Sequence, residues 1–143
     1  ANLVDRGCEV VVEKNAGAGS GFIDEQYEQA GARVLHSLDE IYGRADIVVN
    51  ATNVGMGVAP ADAVADDLAC DPSLLRSEQV VADLVYHPLR TAWLRAADDL
   101  GARTVDGLGM LIHQAALQQE TWLGRRPDTA AMRAAAEAAL GDR

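Results

Sequence analysis

This sequence predicts an α/β fold in which helices cover both faces of a parallel sheet. Hydrophobic residues make up 49% of the chain but aromatic residues only 4%, which indicates an aliphatic core of the kind that parallel strands form. Short β-branched runs alternate with helical segments, the βαβ rhythm of a parallel sheet. A length of 143 residues is enough for one domain and too short for two ordinary ones. Together these observations predict a single Rossmann-like, three-layer domain over residues 1–143.

The first 49 residues are predicted to form short strands and helices in alternation. Residues 1–7 have the composition of a helix end, with Gly7 placed as a left-handed cap. A helix then begins at Asp24, which serves as its N-cap, and runs to Ala30, with Gly31 closing it. The other elements follow from apolar runs and helical spacing: a helix over Ser37–Gly43 and strands Cys8–Glu13, Arg33–His36 and Ala45–Asn50.

The second part of the chain continues this rhythm after an acidic loop. The stretch that follows residues 51–57, up to Cys70, is acidic and poorly periodic, which is typical of a surface loop. Beyond it we expect two strands, Gln79–Val85 and Arg103–Asp106, and three helices, Thr91–Leu100, Gly109–Leu123 and Thr129–Leu140. The first of these helices is expected to bury its apolar side chains, which are Trp93, Leu94 and Ala97.

Charge, cysteines and hydropathy exclude several classes of function. The net charge of −10 repels polyanions, so we expect no nucleic-acid partner. Cys8 and Cys70 lie far apart without metal-ligand spacing, and the histidines are scattered, so we expect reduced thiols and no metal site. No apolar stretch approaches the roughly 18 residues of a membrane span, and the first residues do not resemble a signal peptide. We therefore expect a cytoplasmic protein without a membrane partner.

Three motifs in the second half carry the strongest signal of function. They read NATNVGM at residues 50–56, DLVYHPLRT at residues 83–91 and DGLGMLIHQAA at residues 106–116. In this order they resemble the consecutive signatures of shikimate dehydrogenase, and the likeness covers about residues 44–140. The resemblance implies an NADP-dependent oxidoreductase of aromatic amino acid biosynthesis, which transfers hydride between shikimate and 3-dehydroshikimate.

The resemblance also implies roles for individual residues. Tyr86 and Gln114 match positions that contact the hydroxyl and carboxylate region of shikimate. The nicotinamide half of NADP would lie against a second set, which is Thr52, Leu84, Gly107 and Met110. These roles are physically reasonable because the residues after Asn50 follow a parallel strand at its carboxyl end, where open α/β sheets bind ligands.

Each of these residues also has an ordinary structural explanation. Tyr86 could be a rim residue, and Gln114 could be a solvated helical side chain. Met110 could belong to the core, while Gly107 and Gly109 could serve only the turn between strand and helix. The functional interpretation therefore depends on the three motifs occurring together and in order.

The first half resembles a different family. The segment LVDRGCEVVVEKNAGAGSGF at residues 3–22 is similar to the N-terminal domain of alanine dehydrogenase and of proton-translocating transhydrogenase, over about residues 2–49. In those proteins this glycine loop is not the dinucleotide fingerprint. Its spacing differs from that fingerprint too, since the sixth position counted from Gly17 is Phe22. The chain would then be a chimera, natural or engineered, of a segment 1–49 and a segment 50–143.

The resemblance implies parts that this sequence does not contain. The catalytic lysine and aspartate of shikimate dehydrogenase lie in an N-terminal substrate domain, and its phosphate-binding glycine loop follows the first strand of the cofactor domain. We therefore expect a sheet that lacks the usual first strand and its glycine loop, and NADP binding that is weak or lost. To fill the gap in the sheet we predict either direct pairing of strands Cys8–Glu13 and Ala45–Asn50 or a homodimer.

Two main hypotheses of function follow. The first is a shikimate dehydrogenase-like oxidoreductase in an incomplete or inactive form, because losing the proton-transfer group removes a contribution of typically 10²–10⁴-fold to the rate. The second is a non-catalytic recombined or engineered α/β module that acts through folding and oligomerisation. A fragment similar to alanine dehydrogenase is a weaker third hypothesis. Binding of NADPH distinguishes the first hypothesis from the second.

Overall fold

The computed structural model describes residues 3–141. The chain divides into two compact units, Ala1–Ala45 and Asp46–Arg143, called unit 1 and unit 2 below. The predicted helix end falls in unit 1, where Val4–Arg6 form a 3-10 helix and Gly7 takes a left-handed φ of 81°. Ala1 and Asn2, which belong to the same prediction, lie outside the described residues.

Unit 1 contains one βαβ motif followed by a helix. Its elements are β1 (Val11–Glu13), α1 (Asp24–Gln29), β2 (Arg33–Leu35) and α2 (Leu38–Arg44). The two strands are parallel, with Val11 opposite Arg33. Both strands and both helices were expected, and the strands are shorter than the apolar runs because only three residues of each run form ladder hydrogen bonds.

The start of α1 differs from the prediction. Asp24 is the first helical residue and the N-cap is Ile23, whose backbone N–H donates to Gln26 Oε1 at 2.9 Å. The Asp24 carboxylate instead accepts a hydrogen bond from the backbone N–H of Asn15 at 2.8 Å. Asp24 therefore closes the glycine-rich loop rather than capping the helix. Helix α2, expected over Ser37–Gly43, spans Leu38–Arg44, and Ser37 is its N-cap, whose side chain accepts from Glu40 N.

The glycine-rich loop between β1 and α1 closes on itself. Residues 18–20 form a 3-10 helix, and the backbone N–H groups of Ser20 and Phe22 both donate to Gly17 O. The rings of Phe22 and Tyr27 lie 6.4 Å apart. Backbone donors that would be needed to cradle a phosphate are thus used inside the loop, in keeping with its departure from the dinucleotide fingerprint.

Unit 2 contains a three-stranded parallel sheet in the order β3-β4-β5. Its elements are β3 (Ile47–Asn50), β4 (Val80–Asp83), α3 (Ala92–Asp99), β5 (Arg103–Val105), α4 (Gly107–Leu123) and α5 (Thr129–Gly141). The register pairs Ile47 with Val80 and Val80 with Arg103. The α/β class with parallel sheets is as predicted.

The core of unit 2 lies on one face of this sheet. Val48 and Val81 are 8% and 0% exposed, whereas Ile47 and Val49, on the opposite face, are 62% and 51% exposed. Helix α3 buries the side chains that were predicted to be buried, which are Trp93, Leu94 and Ala97. Helix α4 adds the buried side chains of Leu108, Ile112 and Ala116. The alternation along β3 follows from the two-residue period of a strand.

Two other predictions need correction. Helix α4 begins at Gly107 rather than at Gly109, because Asp106 caps it by accepting from the N–H groups of Leu108 and Gly109 at 3.1 and 3.3 Å. The predicted direct pairing of strands Cys8–Glu13 and Ala45–Asn50 is not found in residues 3–141. There β1 pairs with β2, to which it is connected through α1, and β3 pairs with β4.

Two features are absent from residues 3–141: a helix able to cross a membrane and a cluster of side chains able to hold a metal ion. None of the helices within residues 3–141 combines the length and apolar composition that crossing a membrane requires. In the same residues, no three histidine, cysteine or acidic side chains are grouped closely enough to hold a metal ion.

Candidate functional site

The carboxyl ends of β3 and β4 bring two of the sequence motifs together. Asn50 and Asp83, the last residues of these strands, lie opposite each other in the parallel register. The backbone N–H of Leu84 donates to Asn50 O at 3.0 Å, which continues the ladder by one step. Residues 51–56 and 84–90 therefore leave the sheet at the same edge, where parallel sheets bind ligands.

The Asn50 side chain is hydrogen-bonded to the first of these segments, residues 51–56. Its Nδ2 donates to Val54 O at 3.2 Å and to Asp83 Oδ1 at 2.9 Å. Its Oδ1 accepts from the backbone N–H of Thr52 at 3.0 Å and from the Thr52 hydroxyl at 2.7 Å. All four hydrogen-bonding capacities of the amide are used, so the turn over residues 51–54 has one defined conformation.

The Asp83 carboxylate connects this turn to helix α3. Besides Asn50, Asp83 accepts from Val85 N at 2.9 Å and from the Thr91 hydroxyl at 2.8 Å. Thr91 is the N-cap of α3, and its oxygen accepts from Leu94 N at 3.2 Å. A continuous chain of hydrogen bonds thus runs from the turn after β3 to the first turn of α3.

The third motif reaches the same edge through a close backbone contact at Gly107. A Cβ at this residue would lie 2.5 Å from the carbonyl oxygens of Leu84 and Val85. Only glycine allows the start of α4 to approach the end of β4 so closely. The structure therefore gives Gly107 a packing role, and the predicted contact of this residue with a cofactor stays a prediction.

A charged contact fixes the N-terminus of α4 against α5. Asp106 Oδ2 accepts from Arg133 Nη2 at 2.9 Å, and Arg133 Nε donates to Glu137 Oε1 at 2.8 Å. The hydrogen bond from the Arg133 guanidinium to Asp106, followed by the attraction between their charges, raises the pKa of Arg133. Asp106 is consequently engaged on both oxygens, by the cap on one and by the arginine on the other.

The structure gathers most of the predicted site residues in one place. Thr52, Leu84 and Tyr86 follow the carboxyl ends of β3 and β4, and Gly107 packs against the end of β4. Met110 and Gln114 lie four residues apart on α4 and therefore share one face of it. Tyr86 and Met110 are 37% and 41% exposed, more than core residues are, so a ligand can reach them.

Sequence reasoning assigned no role to several residues that shape this edge. Two of them, Asp83 and Thr91, belong to the chain of hydrogen bonds between the turn after β3 and helix α3. The third, Arg133, binds Asp106 at the N-terminus of α4. A signal for Asp83 was available, because a carboxylate at the end of an otherwise apolar strand must find buried donors. No comparable signal marks Arg133, which meets Asp106 across 27 residues of sequence.

Shallow cavities lie next to these elements in unit 2. One of about 320 Å³ is lined by residues that follow Tyr86, including His87 and Arg90, together with Glu137 and Leu140 of α5. Another of about 190 Å³ lies between α4 and α5, beside Gly109 and Arg133. The first volume is at the lower limit of the 300–1,000 Å³ of typical ligand pockets, and the second is below that range.

Comparison with protein families matches the two halves of the chain separately. The family described as "Alanine dehydrogenase/PNT, N-terminal domain" matches residues 1–65. The family described as "Shikimate 5'-dehydrogenase C-terminal domain" matches residues 107–137. Both resemblances inferred from the sequence motifs are thereby confirmed.

Individual relatives extend one of these likenesses along the chain. The shikimate dehydrogenase (NADP(+)) of Afipia carboxidovorans is 38% identical over 141 residues, which cover 96% of this chain and 49% of the relative. This relative also covers the first 49 residues, so the likeness to shikimate dehydrogenase is wider than the motifs indicated. The chain spans about half the length of the curated relatives it matches.

Solved structures give the same result. The shikimate 5-dehydrogenase of Thermus thermophilus, in complex with NADP(H) and shikimate, superimposes with a TM-score of 0.72 and 33% identity, covering 96% of this chain and 49% of that one. The quinate dehydrogenase of Corynebacterium glutamicum, in complex with NAD, has a TM-score of 0.67 and 32% identity, covering 92% and 47%. The Rossmann-like class is thus shared with dinucleotide-dependent dehydrogenases.

Proposed function

We propose that this chain is the cofactor-binding part of an NADP-dependent oxidoreductase of the shikimate dehydrogenase type, with hydride transfer between shikimate and 3-dehydroshikimate as its reaction. One observation carries the proposal: the three sequence motifs, which are spread over residues 50–116, meet at the carboxyl edge of one parallel sheet. The relatives that match this chain at 38% and 41% identity are shikimate dehydrogenases (NADP(+)).

The residues at this edge fit the nicotinamide half of a dinucleotide. Met110 is a partly exposed apolar side chain, and Leu84 is half-buried, so both can cover a flat aromatic ring. Thr52 is exposed and adds a hydroxyl at the end of β3. When bound, the nicotinamide would supply the hydride acceptor or donor, and these side chains would hold it in place. Tyr86 and Gln114 would bind the hydroxyl and carboxylate region of the substrate.

Proton transfer is the step that this edge does not supply. The two carboxylates next to it are both engaged, Asp83 by three donors and Asp106 by the α4 cap and Arg133. The only lysine of the chain is Lys14, in unit 1. We therefore expect that the chain by itself binds NADP weakly and oxidises shikimate, if at all, at least about a hundredfold more slowly than an enzyme with a general acid/base.

The decisive experiment is a titration of the purified chain with NADPH and with NADH, followed by fluorescence or calorimetry. A Kd below about 1 mM for NADPH, weakened at least tenfold by Thr52→Val, supports the proposal, since 1 mM corresponds to about 4 kcal/mol of binding. Thr121→Val on α4 is the matched control, because the Thr121 hydroxyl bonds only to Leu117 O of its own helix.

Failure to bind either dinucleotide at 1 mM would reject the proposal in favour of a non-catalytic α/β module. An assay of shikimate-dependent NADP reduction with the same chain tests the expectation that shikimate is oxidised slowly. Turnover comparable to that of a full-length dehydrogenase would contradict the expected loss of proton transfer.

The homodimer expected from the sequence remains a proposal as well. In the described residues, β1 is hydrogen-bonded to β2 and β3 to β4, which leaves the other side of β1 and β3 as strand edges. Unpaired edges favour association with another strand. Sedimentation equilibrium at several concentrations tests it, and a monomer at 100 µM would count against it.

A further inference from the structure

The buried polar chain beneath the candidate site consists of Asn50, Asp83 and Thr91. These side chains are 3%, 1% and 1% exposed. Burying polar groups costs free energy unless their hydrogen bonds are made, and replacing both partners of a hydrogen bond by apolar groups of the same shape can be nearly neutral. A reason other than packing is therefore needed for three polar residues at this place.

Hydrogen-bond chemistry leaves one orientation for the Asn50 amide. A carboxylate only accepts hydrogen bonds, so the amide nitrogen must face Asp83 Oδ1, at 2.9 Å. The amide oxygen then faces Thr52, whose hydroxyl lies 2.7 Å away and must donate its only hydrogen to it. Asp83 therefore determines, through Asn50, where the hydroxyl hydrogen of Thr52 points.

This orientation makes the Thr52 hydroxyl an acceptor towards any ligand. Its hydrogen is directed at Asn50, and one lone pair accepts from the N–H of Val54 at 3.2 Å. A second lone pair remains, on a residue that is exposed at the edge of the sheet. Thr52 can thus accept a hydrogen bond from a ligand N–H or O–H group, but it has no hydrogen to give.

Thr91 lies at the end of this chain of hydrogen bonds that is farthest from Thr52. Its hydroxyl donates to Asp83 Oδ2 at 2.8 Å, while its oxygen accepts from Leu94 N at 3.2 Å. Its methyl side also lies near Gly55, where an added Cβ would be 3.9 Å from Thr91 Cγ2. The first turn of α3 consequently fixes the carboxylate that orients Asn50.

We propose that Asp83 and Thr91 are positioning residues for dinucleotide binding, which act through Asn50 to hold the Thr52 hydroxyl as an acceptor for the ligand. The inference rests on the proposed function, since the carboxamide and ribose of the nicotinamide half carry the N–H and O–H donors that such an acceptor requires. Neither Asp83 nor Thr91 touches the ligand, because both are buried.

The test compares three substitutions at Thr91 in the full chain. Thr91→Val has the same shape and no hydroxyl, Thr91→Ser keeps the hydroxyl, and Thr91→Cys offers a weaker thiol donor. Amide hydrogen exchange of Thr52 and Val54 is measured relative to Val81 in β4, and the Kd for NADPH is measured by fluorescence. We expect Thr91→Val to accelerate relative exchange and to weaken binding at least tenfold, with Thr91→Ser within twofold of the parent.

The outcomes separate positioning from general stability. If Thr91→Val lowers the melting temperature but leaves both the relative exchange and the Kd unchanged, the residue is merely structural and the inference is overturned. Accelerated exchange with an unchanged Kd would overturn it too. Should Thr91→Val not fold, Thr91→Cys must give intermediate values, and parent-like values would reject the inference.

Failure of the proposed function has a different signature. In that case the parent chain binds neither NADPH nor NADH, whatever stands at residue 91. The exchange rates of Thr52 and Val54 then still decide whether Thr91 and Asp83 hold the turn, because that measurement needs no ligand.

Discussion

Units 1 and 2 are both built from short parallel strands and helices, yet they are stabilised in different ways. In the described residues of unit 1, Leu35 is the only buried hydrophobic side chain, and Glu9, just before β1, contacts Arg33 of β2 and Arg44 of α2. Unit 2 contains all the other core side chains and a buried chain of hydrogen bonds under its binding edge. Ion pairs at the surface contribute little compared with buried apolar area.

The difference shows where precise geometry is maintained. A turn held by buried, fully satisfied hydrogen bonds stays in one conformation, whereas exposed ion pairs are screened by water and salt. The candidate site is located in the unit that can maintain such precision. Unit 1 is expected to open more readily than unit 2, and three substitutions test this contrast.

The largest effect is expected from Leu94→Ala in α3. Leu94 is 0% exposed, so the truncation leaves a cavity in the core of unit 2 and should cost about 2–5 kcal/mol. Leu35→Ala is the matched change in unit 1 and should lower the stability of β1 and β2 only locally. Urea denaturation followed by circular dichroism measures the first effect, and amide exchange measures the second. Equal global losses for both variants would contradict the contrast.

A smaller effect is expected from Gly107→Ala at the start of α4. The new Cβ would lie 2.5 Å from two backbone carbonyl oxygens, so α4 must shift, at a cost of about 1–3 kcal/mol. Gly109→Ala is the control, since its Cβ would meet nothing nearer than Arg133 Nη1 at 3.9 Å. That control should stabilise the helix by about 0.5–1 kcal/mol. Thermal unfolding of both variants checks the opposite signs, and like signs would show that the contact at Gly107 is unimportant.

The smallest effect is expected from Glu9→Gln in unit 1. The side-chain hydrogen bonds from Arg44 and then Arg33 hold the pKa of Glu9 below its ordinary value of 4.5. Because the pKa in the folded chain is depressed, this contribution is present above pH 4.5 and is lost as the pH falls through the lowered pKa.

Amide exchange at β2 between pH 3 and pH 6 measures this loss. The parent chain should lose protection at β2 on acidification, and Glu9→Gln should lack that part of the pH dependence. Glu13→Gln is the matched control in β1, since no ion pair of Glu13 is found in residues 3–141. An identical pH profile for parent and Glu9→Gln would show that the ion pairs do not stabilise unit 1.

Much of this architecture was predictable because it depends on local patterns. The helical spacing of Trp93, Leu94 and Ala97 predicted which face of α3 is buried, and the apolar runs located all five strands. Helix starts were predicted less well. Asp24 is of a residue type that often caps helices. Its carboxylate, however, accepts a hydrogen bond from the backbone N–H of Asn15 and does not cap α1. Asp106 was assigned to the end of the strand Arg103–Asp106, whereas in the structure it is the N-cap of α4.

The candidate site divides in the same way. The motifs identified Thr52, Leu84, Tyr86, Gly107, Met110 and Gln114, since each is part of a recognisable local pattern. The patterns could not show that residue 107 must be glycine because the carbonyl oxygens of Leu84 and Val85 leave no room for a Cβ. Nor could they show that Asp83 orients Asn50, 33 residues away in sequence.

By itself the sequence determined the class of fold, the alternation of strands and helices, and the likeness to a dehydrogenase, because periodicity and motifs are properties of neighbouring residues. Only the tertiary structure decided which strands pair, that the glycine-rich loop uses its own backbone donors, and that Thr91 is connected to Thr52 through Asp83 and Asn50. The physical reason is that hydrogen bonds between buried groups depend on distances and directions in space, which many different sequence separations can produce.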